Sequence, residues 1–397
     1  MLQRTRMKIK LDDVPEPVNT PSWPSVKAWL LICVFLILVF LLARAQVKEP
    51  SNYLLLSWDA LVYGLFAFVS VFVGRMLLFS FKWFWVDSWN LERAELIDQE
   101  INRGQKAIKC LAFEFDVPDA VFKEAFSDQL LACEMGLTAE IDSSTNQVIK
   151  RKYFARSSDD FSEDIRQLVF ESNLGKQLIE RSKAGHSTSV LFEFDDEKIS
   201  EELDEAWQNL CMEYDLSIMP ASINGQGLAA LDDWLDIDRG SEYLLVIAIH
   251  YSDLKDDGHG DGLVAMLFTQ GMPLSLLNES SRVCRPEEKK TNSHQKMLSN
   301  AVLWADQNFE SLNGFWFCGF GADGQSAFLS TELLEFLPSI TKNTVVDIDS
   351  KMGFMSVVGP WFSLVMALEQ HKKNQKKQLV IHSPTQSTEE YWAVVVG

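Results

Sequence analysis

The sequence predicts an α/β domain preceded by two transmembrane helices, and three observations support this prediction. Two long apolar runs stand near the N-terminus. Beyond residue 107, short apolar runs of β type alternate with amphipathic helical windows, which is typical of an α/β domain with a buried sheet. The chain has 397 residues and is 47% hydrophobic, so it can form one large or two ordinary domains and is not globally disordered.

The two apolar runs predict a helical hairpin that crosses a lipid bilayer through residues 28–81. The predicted spans are 28–45 and 60–81, and the second is interrupted only by Arg75, whose long side chain can reach the interface. Pro21 and Pro24 cannot lie inside a helix, so the first span begins after them. A buried core helix is the alternative for the second run, but its length and aromatic flank favour a span.

Charge around the spans predicts their orientation. Five Lys or Arg residues precede the first span, two lie between the spans, and five follow the second between residues 82 and 109. By the positive-inside rule, both termini face the cytoplasm, and we expect a multi-pass protein of a bacterial inner membrane. A cleaved signal peptide over residues 1–45 is the alternative, since Ala43-Arg44-Ala45 has the small residues of a cleavage site. The second span would then still return the chain to the cytoplasm.

The remaining elements follow in order along the chain. A polar helical window at 87–106 predicts a juxtamembrane connector, so the expected divisions are a tail (1–27), a hairpin (28–83), the connector (87–106) and an α/β domain (107–397). Strands are predicted at 109–115, 188–194, 216–222, 243–252, 263–270, 314–320, 344–349, 378–384 and 391–397. Helices are predicted at 119–133, 197–213, 226–235, 293–309, 328–337 and 356–371.

Charge and cysteine content exclude several classes of protein. Residues 111–397 carry 23 Lys and Arg against 46 Asp and Glu, and such an acidic domain repels phosphate, so we predict no nucleic-acid partner. The six cysteines are scattered, without a CxxC pair or the Cys/His spacing of a zinc site, which indicates free thiols in a reducing compartment.

Four segments in the C-terminal part resemble, in order, the thiolase/β-ketoacyl synthase superfamily. They are PASINGQGLAALDDWLDIDRGSEYLLVIAIHYSD (220–253), GDGLVAMLF (260–268), WFCGFGADGQS (316–326) and DSKMGFMSVVGPWFSLVMALE (349–369). The resemblance implies a layered α/β/α/β/α domain over residues 107–397 and a homodimer that pairs along a sheet-edge strand.

The same resemblance assigns places to catalytic residues. It puts Ser222 at the place of the nucleophilic Cys, Phe320 or Gly321 at that of the first catalytic His, and Gly353 or Phe354 at that of the second. Lys351 and Gly359 match the family pattern. Condensation needs a thiolate to hold the acyl group and two imidazoles to polarise the thioester, so the substitutions predict a degenerate, non-catalytic member.

Two other motifs have alternative interpretations. The loop DDGHGD offers Asp257, His259 and Asp261 as oxygen and nitrogen ligands for a cation, but it lacks the order of an EF-hand, and a solvated turn explains it as well. GFGADG (319–324) has the spacing of a dinucleotide fingerprint, yet too little chain follows for the second half of such a fold. No cofactor is predicted.

These observations lead to competing hypotheses of function. The first is a membrane-anchored, catalytically inactive binding or scaffold protein with an unidentified protein partner, for example an accessory or immunity component of a bacterial secretion system. The alternative is a serine acyltransferase or hydrolase that uses Ser222 on an acyl substrate from the membrane. A channel subunit is a third hypothesis, although two spans with one ionisable residue offer little for an ion pathway.

Overall fold

The computed structural model divides the chain into two compact units, residues 1–100 and 101–397. It describes residues 11, 14–47, 53–120, 123–132, 136–141, 148–154, 161–195, 197–237, 241–251, 257–276, 281–289, 294–320, 328, 345–384 and 390–397.

The first unit contains two long helices, α1 (Val26–Val47) and α2 (Tyr53–Gly104), and the last turn of α2 belongs to the second unit. Both helices are long and apolar enough to cross a membrane, by length and composition. Gly64 of α2 packs closely against Ile37 of α1, since a Cβ at Gly64 would lie 2.9 Å from the Ile37 Cα.

The polar segment predicted as a juxtamembrane helix at 87–106 is helical up to Gly104. It forms one helix with the second apolar run, because α2 continues without a break from Tyr53 to Gly104. No proline interrupts this stretch, and its polar second half keeps a helical spacing of apolar residues.

The second unit is built from strands and short helices. Its strands are β1 (Lys106–Asp116), β2 (Thr138–Ile141), β3 (Val148–Arg151), β4 (Thr188–Phe194), β5 (Met219–Pro220), β6 (Tyr243–His250), β7 (Gly262–Thr269), β8 (Met272–Pro273), β9 (Arg282–Cys284), β10 (Glu287–Glu288), β11 (Leu312–Cys318), β12 (Val345–Asp347), β13 (Lys377–His382) and β14 (Trp392–Val396). Its α-helices are α3 (Phe126–Leu131), α4 (Phe161–Ile165), α5 (Asn173–Lys183), α6 (Glu197–Glu213), α7 (Leu228–Leu235), α8 (His294–Trp304), α9 (Ile348–Met352) and α10 (Gly359–Asn374).

The sheet consists of two halves with the same strand order. The first half runs β5-β4-β6-β7-β1 and the second runs β12-β11-β13-β14-β9. In each half the second strand pairs in parallel with the first and third, and the fourth is antiparallel to the third and fifth. The halves meet where β1 pairs with β9. The second unit therefore contains the same strand topology twice.

Side chains alternate across the strands and divide the core into layers. In β6, Val246 joins the central apolar cluster with α7 and α10, whereas Ile247 faces the cluster formed by α5 and α6. In β11, Trp316 faces the central cluster and Phe317 faces α8. Helices therefore cover both faces of each half-sheet, and α7 and α10 lie between the halves, as a layered α/β/α/β/α domain requires.

Several elements differ from their predicted bounds. Within the predicted helix at 119–133, the described residues form a 3-10 turn over Lys123–Ala125 and then α3, and Asp119 adopts a positive φ of 66° in the turn after Pro118. The predicted strand 216–222 pairs only over Met219–Pro220, where proline has no N–H to continue a ladder. Of the predicted helix 328–337, all but residue 328 lies outside the described residues. Helix α5, which was not predicted, is capped by the Ser172 hydroxyl.

Candidate functional site

The candidate site lies where the carboxyl ends of β4, β11 and β13 meet the start of the central helix α7. Gly227 directly precedes α7 and has a positive φ of 57°. A Cβ at this position would lie 3.1 Å from Cγ of Pro360, in the first turn of α10, and 3.9 Å from Nε2 of His382. The start of α10 and the end of β13 therefore both reach the beginning of α7.

Glu193, near the end of β4, links the two central helices. Its Oε1 accepts a hydrogen bond from the Gly227 N–H at 2.6 Å, and its Oε2 accepts one from the Trp361 indole at 2.6 Å. The side chain is buried, and burial raises its pKa from 4.5 to about 7, although the two hydrogen bonds act in the opposite direction. The N–H at the beginning of α7 therefore already donates to a carboxyl group of the chain and is not available to an external anion.

A buried thiol and imidazole lie beside this link. Cys318 at the end of β11 and His382 at the end of β13 are register partners, and Sγ lies 3.4 Å from Nδ1. Burial raises the pKa of Cys318 well above its ordinary value and lowers that of His382 to about 4. At neutral pH the pair is therefore a thiol and a neutral imidazole, in contrast to the thiolate that nucleophilic catalysis uses.

A similar pair ends the corresponding strands of the first half. His250 Nδ1 lies 2.6 Å from Oδ2 of Asp195, and the Ser356 hydroxyl donates to Oδ1 of the same carboxylate at 2.8 Å. Burial would raise the pKa of Asp195, but the hydrogen bonds from His250 and Ser356 lower it. Here the carboxylate lies between the hydroxyl and the imidazole, so the imidazole does not contact the hydroxyl as the base of a Ser-His-Asp triad does.

Ser222, the predicted nucleophile position, lies apart from these groups. It is exposed in the loop between β5 and α7, and among the described residues no hydrogen bond to its side chain is found. Helix α7 begins only at Leu228, beyond the polar turn formed by Asn224 and Gly225. The residue at the start of the helix is thus Gly227, which has no side chain to act as a nucleophile.

The other positions assigned by resemblance have structural contacts. Phe320 is buried against Tyr391, and its N–H donates to Asp349 at 2.9 Å. Lys351 is buried and donates to the Leu130 carbonyl.

Gly353 has a positive φ of 84° and packs against the backbone of His259, and Phe354 donates its N–H to the Gly258 carbonyl. Gly321 and most of the GFGADG motif lie outside the described residues.

The acidic loop contacts backbone amides. Asp257 accepts a hydrogen bond from the Lys150 N–H and Asp261 accepts one from the Phe154 N–H, each at 2.8 Å. His259 pairs with Phe354 through an isolated β-bridge. In the part of the chain that the structure describes, no three His, Cys, Asp or Glu side chains are grouped closely enough to hold a metal ion.

Sequence reasoning missed Glu193, Cys318 and His382 as a group. They are distant in sequence and come together only because the two half-sheets place their strand ends around the same helices. One local signal was present, namely a glutamate inside the apolar strand TSVLFEF, where a charged side chain needs a partner.

Comparison with known proteins shows a likeness of fold. No family model and no curated protein matches the chain. The structure is similar to that of the PfaC keto synthase-chain length factor, with a TM-score of 0.50 and 10% sequence identity, over 74% of this chain and 43% of that one. The chain thus spans less than half the length of that protein.

Two further solved structures are similar at lower TM-scores. Cerulenin-bound OleA of Xanthomonas campestris has a TM-score of 0.44 and 13% identity over 73% of this chain and 97% of that one. The 3-oxoacyl-[acyl-carrier-protein] synthase III of Aquifex aeolicus VF5 has a TM-score of 0.42 and 12% identity over 73% and 99%. The likeness to PfaC, together with the observed strand order, shows a thiolase-like fold for the second unit.

Proposed function

We propose that the chain is a membrane-anchored binding or scaffold protein whose thiolase-like domain does not catalyse condensation. The observation that carries this proposal is the Glu193 carboxyl group, which bridges the Gly227 N–H and the Trp361 indole between the two central helices. An acyl-transfer site needs free N–H donors to stabilise the developing oxyanion, and here one of these donors binds a carboxyl group of the chain itself.

The nearby thiol supports the same proposal. Cys318 is fully buried beside a neutral imidazole, so it lacks the thiolate character and the access that an acyl thioester requires. The serine alternative depends on Ser222, whose exposed hydroxyl has no hydrogen-bonded base among the described residues. A side chain in that setting is a weak nucleophile.

Anchoring by α1 and α2 completes the proposal. Two helices of sufficient length and apolar composition would hold the domain at a bilayer and raise its effective concentration near a membrane partner. The positive residues that flank the spans favour cytoplasmic termini in a bacterial inner membrane. A role as an accessory or immunity component of a secretion system is consistent with such a tethered module, and its partner would be a protein.

An acylation assay tests the lack of catalysis. The full-length protein in lipid nanodiscs is incubated with a radiolabelled long-chain acyl-CoA and malonyl-CoA, and covalent adducts are measured by intact mass spectrometry. We expect no adduct and no release of CoA above the rate seen with Ser222→Ala and Cys318→Ala. An adduct that disappears in Ser222→Ala would establish the serine enzyme instead, and one that disappears in Cys318→Ala would establish a cysteine enzyme.

A reporter assay tests the anchoring and its orientation separately. Green fluorescent protein or alkaline phosphatase is fused after residue 397 of the full chain, or inserted between α1 and α2. We expect fluorescence from the first fusion, phosphatase activity from the second, and retention of both in the membrane fraction after carbonate extraction. Phosphatase activity at the C-terminal fusion would contradict the orientation, and extraction by carbonate would contradict the anchoring.

The open edge strand β5 suggests how two copies would associate. Among the described strands it pairs only with β4, and Met219 is exposed. Pairing of β5 with its copy would form a homodimer through backbone hydrogen bonds. Light scattering of the detergent-solubilised protein tests this, since Met219→Asp should shift a dimer to a monomer and the exposed Met212→Asp should not.

A further inference from the structure

A cavity of about 340 Å³ lies between the end of strand β1 and the last turn of α10. Six of its lining residues are Phe113, Glu114, Phe115, Lys123, Lys372 and Lys373. Its volume is in the range of small-molecule sites. Lys372 lies about 18 Å further along α10 than Pro360 at the candidate site, since each helical residue adds about 1.5 Å. The cavity is therefore separate from that site.

Two aromatic rings form the apolar surface of this cavity. Phe113 and Phe115 are two residues apart on β1, so their side chains lie on the same face of the strand. Phe115 is 3% exposed and packs against Phe126 and Phe362, with ring centroids 5.6 Å apart in both cases. Phe113 is only partly buried. The core therefore holds this surface in place, and part of it is open to a ligand.

Lys372 and Lys123 lie over these two rings. The Lys372 Nζ is 4.3 Å from the centroid of Phe113, and the Lys123 Nζ is 5.8 Å from that of Phe115. Both lysines are exposed, and neither ammonium group forms an ion pair with a carboxylate of a described residue. An ammonium group has three N–H donors, and a cation–π contact leaves most of them free. The two lysines therefore offer positive charge and hydrogen-bond donors to a ligand.

Lys373 provides a contrast in the same cavity. It forms ion pairs with Glu369 at 2.7 Å and Asp128 at 2.9 Å, so carboxylates of the chain already balance its charge. Glu114 is half-buried, and burial raises its pKa, while the charge of Lys123 acts to lower it. When ionised, Glu114 opposes an anion in the cavity, as does the formal net charge of −20 of the whole chain. Positive charge without an ion-pair partner is thus confined to Lys123 and Lys372 in this lining.

We infer that this cavity binds a small ligand in which a carboxylate or phosphate group is joined to an apolar ring or short chain. The oxyanion pairs with the ammonium groups of Lys123 and Lys372, and the apolar part packs on Phe113 and Phe115. Charge-assisted hydrogen bonds hold the oxyanion, and the apolar part gains by leaving water. A bare anion would leave the accessible ring of Phe113 uncovered. The site does not require the proposed function to be correct.

Isothermal titration calorimetry of the full-length protein in detergent tests this inference, with phenyl phosphate and phenylacetate as separate probes. We expect saturable binding of at least one, and the tighter probe distinguishes a phosphate from a carboxylate ligand. The matching bare anions, inorganic phosphate and acetate, should bind about tenfold or more weakly, because they have no apolar part to bury. Soluble dihexanoyl phosphatidate is a further probe. Tighter binding than phenyl phosphate identifies a lipid head group as the source of the ligand, and weaker binding identifies a soluble ligand.

Variants of single charges locate the binding. Lys123→Gln and Lys372→Gln should fold, because both side chains are exposed, and each should weaken binding about tenfold through loss of a charge-assisted hydrogen bond. Glu114→Gln should strengthen binding, because a like charge is removed. The matched control is Lys183→Gln, which removes another exposed lysine from the last turn of a helix, α5, and should leave binding unchanged.

Three results would overturn the inference. The first is that neither phenyl phosphate nor phenylacetate binds saturably. The second is that the bare anions bind as tightly as these probes, which would exclude a contribution from the rings. The third is that Lys372→Gln binds the probes as well as Lys183→Gln does, which would place the binding elsewhere.

Discussion

His250 and His382 occupy equivalent places in the two halves of the domain, each as the last residue of the third strand of its half-sheet. The Nδ1 atom of each faces a polar group at the end of the neighbouring second strand, Asp195 in one half and Cys318 in the other. The repeated topology therefore brings the same two strand ends together twice, with a carboxylate partner in one case and a thiol in the other.

This difference in partner predicts the reactivity of Cys318. Burial raises the pKa of this thiol, and the neutral His382 cannot draw its proton away, so iodoacetamide should label Cys318 at least about a hundredfold more slowly in the native protein than in urea. Peptide mass spectrometry of labelled samples at neutral pH measures the rate.

A variant separates burial from the effect of the imidazole. His382→Asn should leave the native labelling of Cys318 slow, because access limits it. Rapid native labelling that His382→Asn abolishes would show that the pair is an activated dyad and would contradict both this prediction and the proposed lack of catalysis.

The buried carboxyl group of Glu193 predicts a dependence of stability on pH. Its pKa in the folded protein is about 7 against 4.5 ordinarily, so the folded state holds a proton that the unfolded state releases. The stability from this group is fully present below about pH 4.5 and is lost as pH rises through 7. The full effect corresponds to about 3 kcal/mol.

Urea unfolding of the wild type and Glu193→Gln at pH 5 and pH 8 measures this effect. The wild type should lose more stability than the variant between pH 5 and pH 8. Any destabilisation by the substitution itself is the same at both pH values and cancels in this comparison. Equal losses would mean that the hydrogen bonds from Gly227 and Trp361 keep Glu193 ionised throughout.

The sequence was sufficient to predict the fold class because the strands are strongly patterned. Strand β6 is almost wholly apolar, and the residues of β7 are all buried, as expected of strands covered on both faces. The duplication was not visible, because the two halves share a strand order without a shared sequence motif. The continuous helix α2 was also missed, since a change from apolar to polar composition does not by itself end a helix.

The candidate site was less accessible to sequence reasoning. Ser222 was assigned from a motif that follows a strand, but the chain inserts a polar turn before α7, and this places Gly227 at the helix start. Glu193 contacts Trp361 across a long stretch of sequence, and such a contact depends on the packing of the halves. Sequence spacing alone does not contain that information.

The ion-pair network around Asp236 predicts sensitivity to acid. Burial would raise the pKa of Asp236, but hydrogen bonds and charges from Arg103 and Arg285 lower it to about 2. The resulting stability is present above the ordinary pKa of 3.8 and is lost as pH falls from there toward 2. Asp236→Asn should therefore lower the free energy of unfolding by about 2 kcal/mol at pH 7, because Arg285 stays buried and has lost one of its two carboxylate partners.

Unfolding monitored by tryptophan fluorescence at pH 7 and pH 3 checks this. The control is Asp128→Asn, which removes a solvent-exposed partner of Lys373 and should cost about 0.5 kcal/mol or less. Equal effects of the two substitutions would show that the network contributes no more than a surface pair.

Gly353 and Gly185 both have a φ of 84°, and Gly353 combines it with a ψ of 167°, a backbone conformation that is essentially restricted to glycine. A Cβ at Gly353 would lie 2.4 Å from the carbonyl carbon of His259 and 2.6 Å from the Gly260 nitrogen, whereas nothing lies within 4 Å of one at Gly185. Gly185→Ala should lower the free energy of unfolding by about 1 kcal/mol because of its positive φ alone. Gly353→Ala should lower it several times more, because its ψ of 167° is strained for any side chain and the neighbouring backbone must also shift. Urea unfolding of both variants in detergent measures the two costs.

This comparison also bears on catalysis. Gly353 is one of two positions to which the family resemblance assigns the second catalytic histidine, so a structure that excludes even a methyl group there also excludes an imidazole. Gly353→His should therefore fail to yield folded protein, while Gly185→His should fold with a modest loss of stability. A folded Gly353→His variant of near wild-type stability would show that the contact with the His259 backbone can open, and that Gly353 is not held in place by packing.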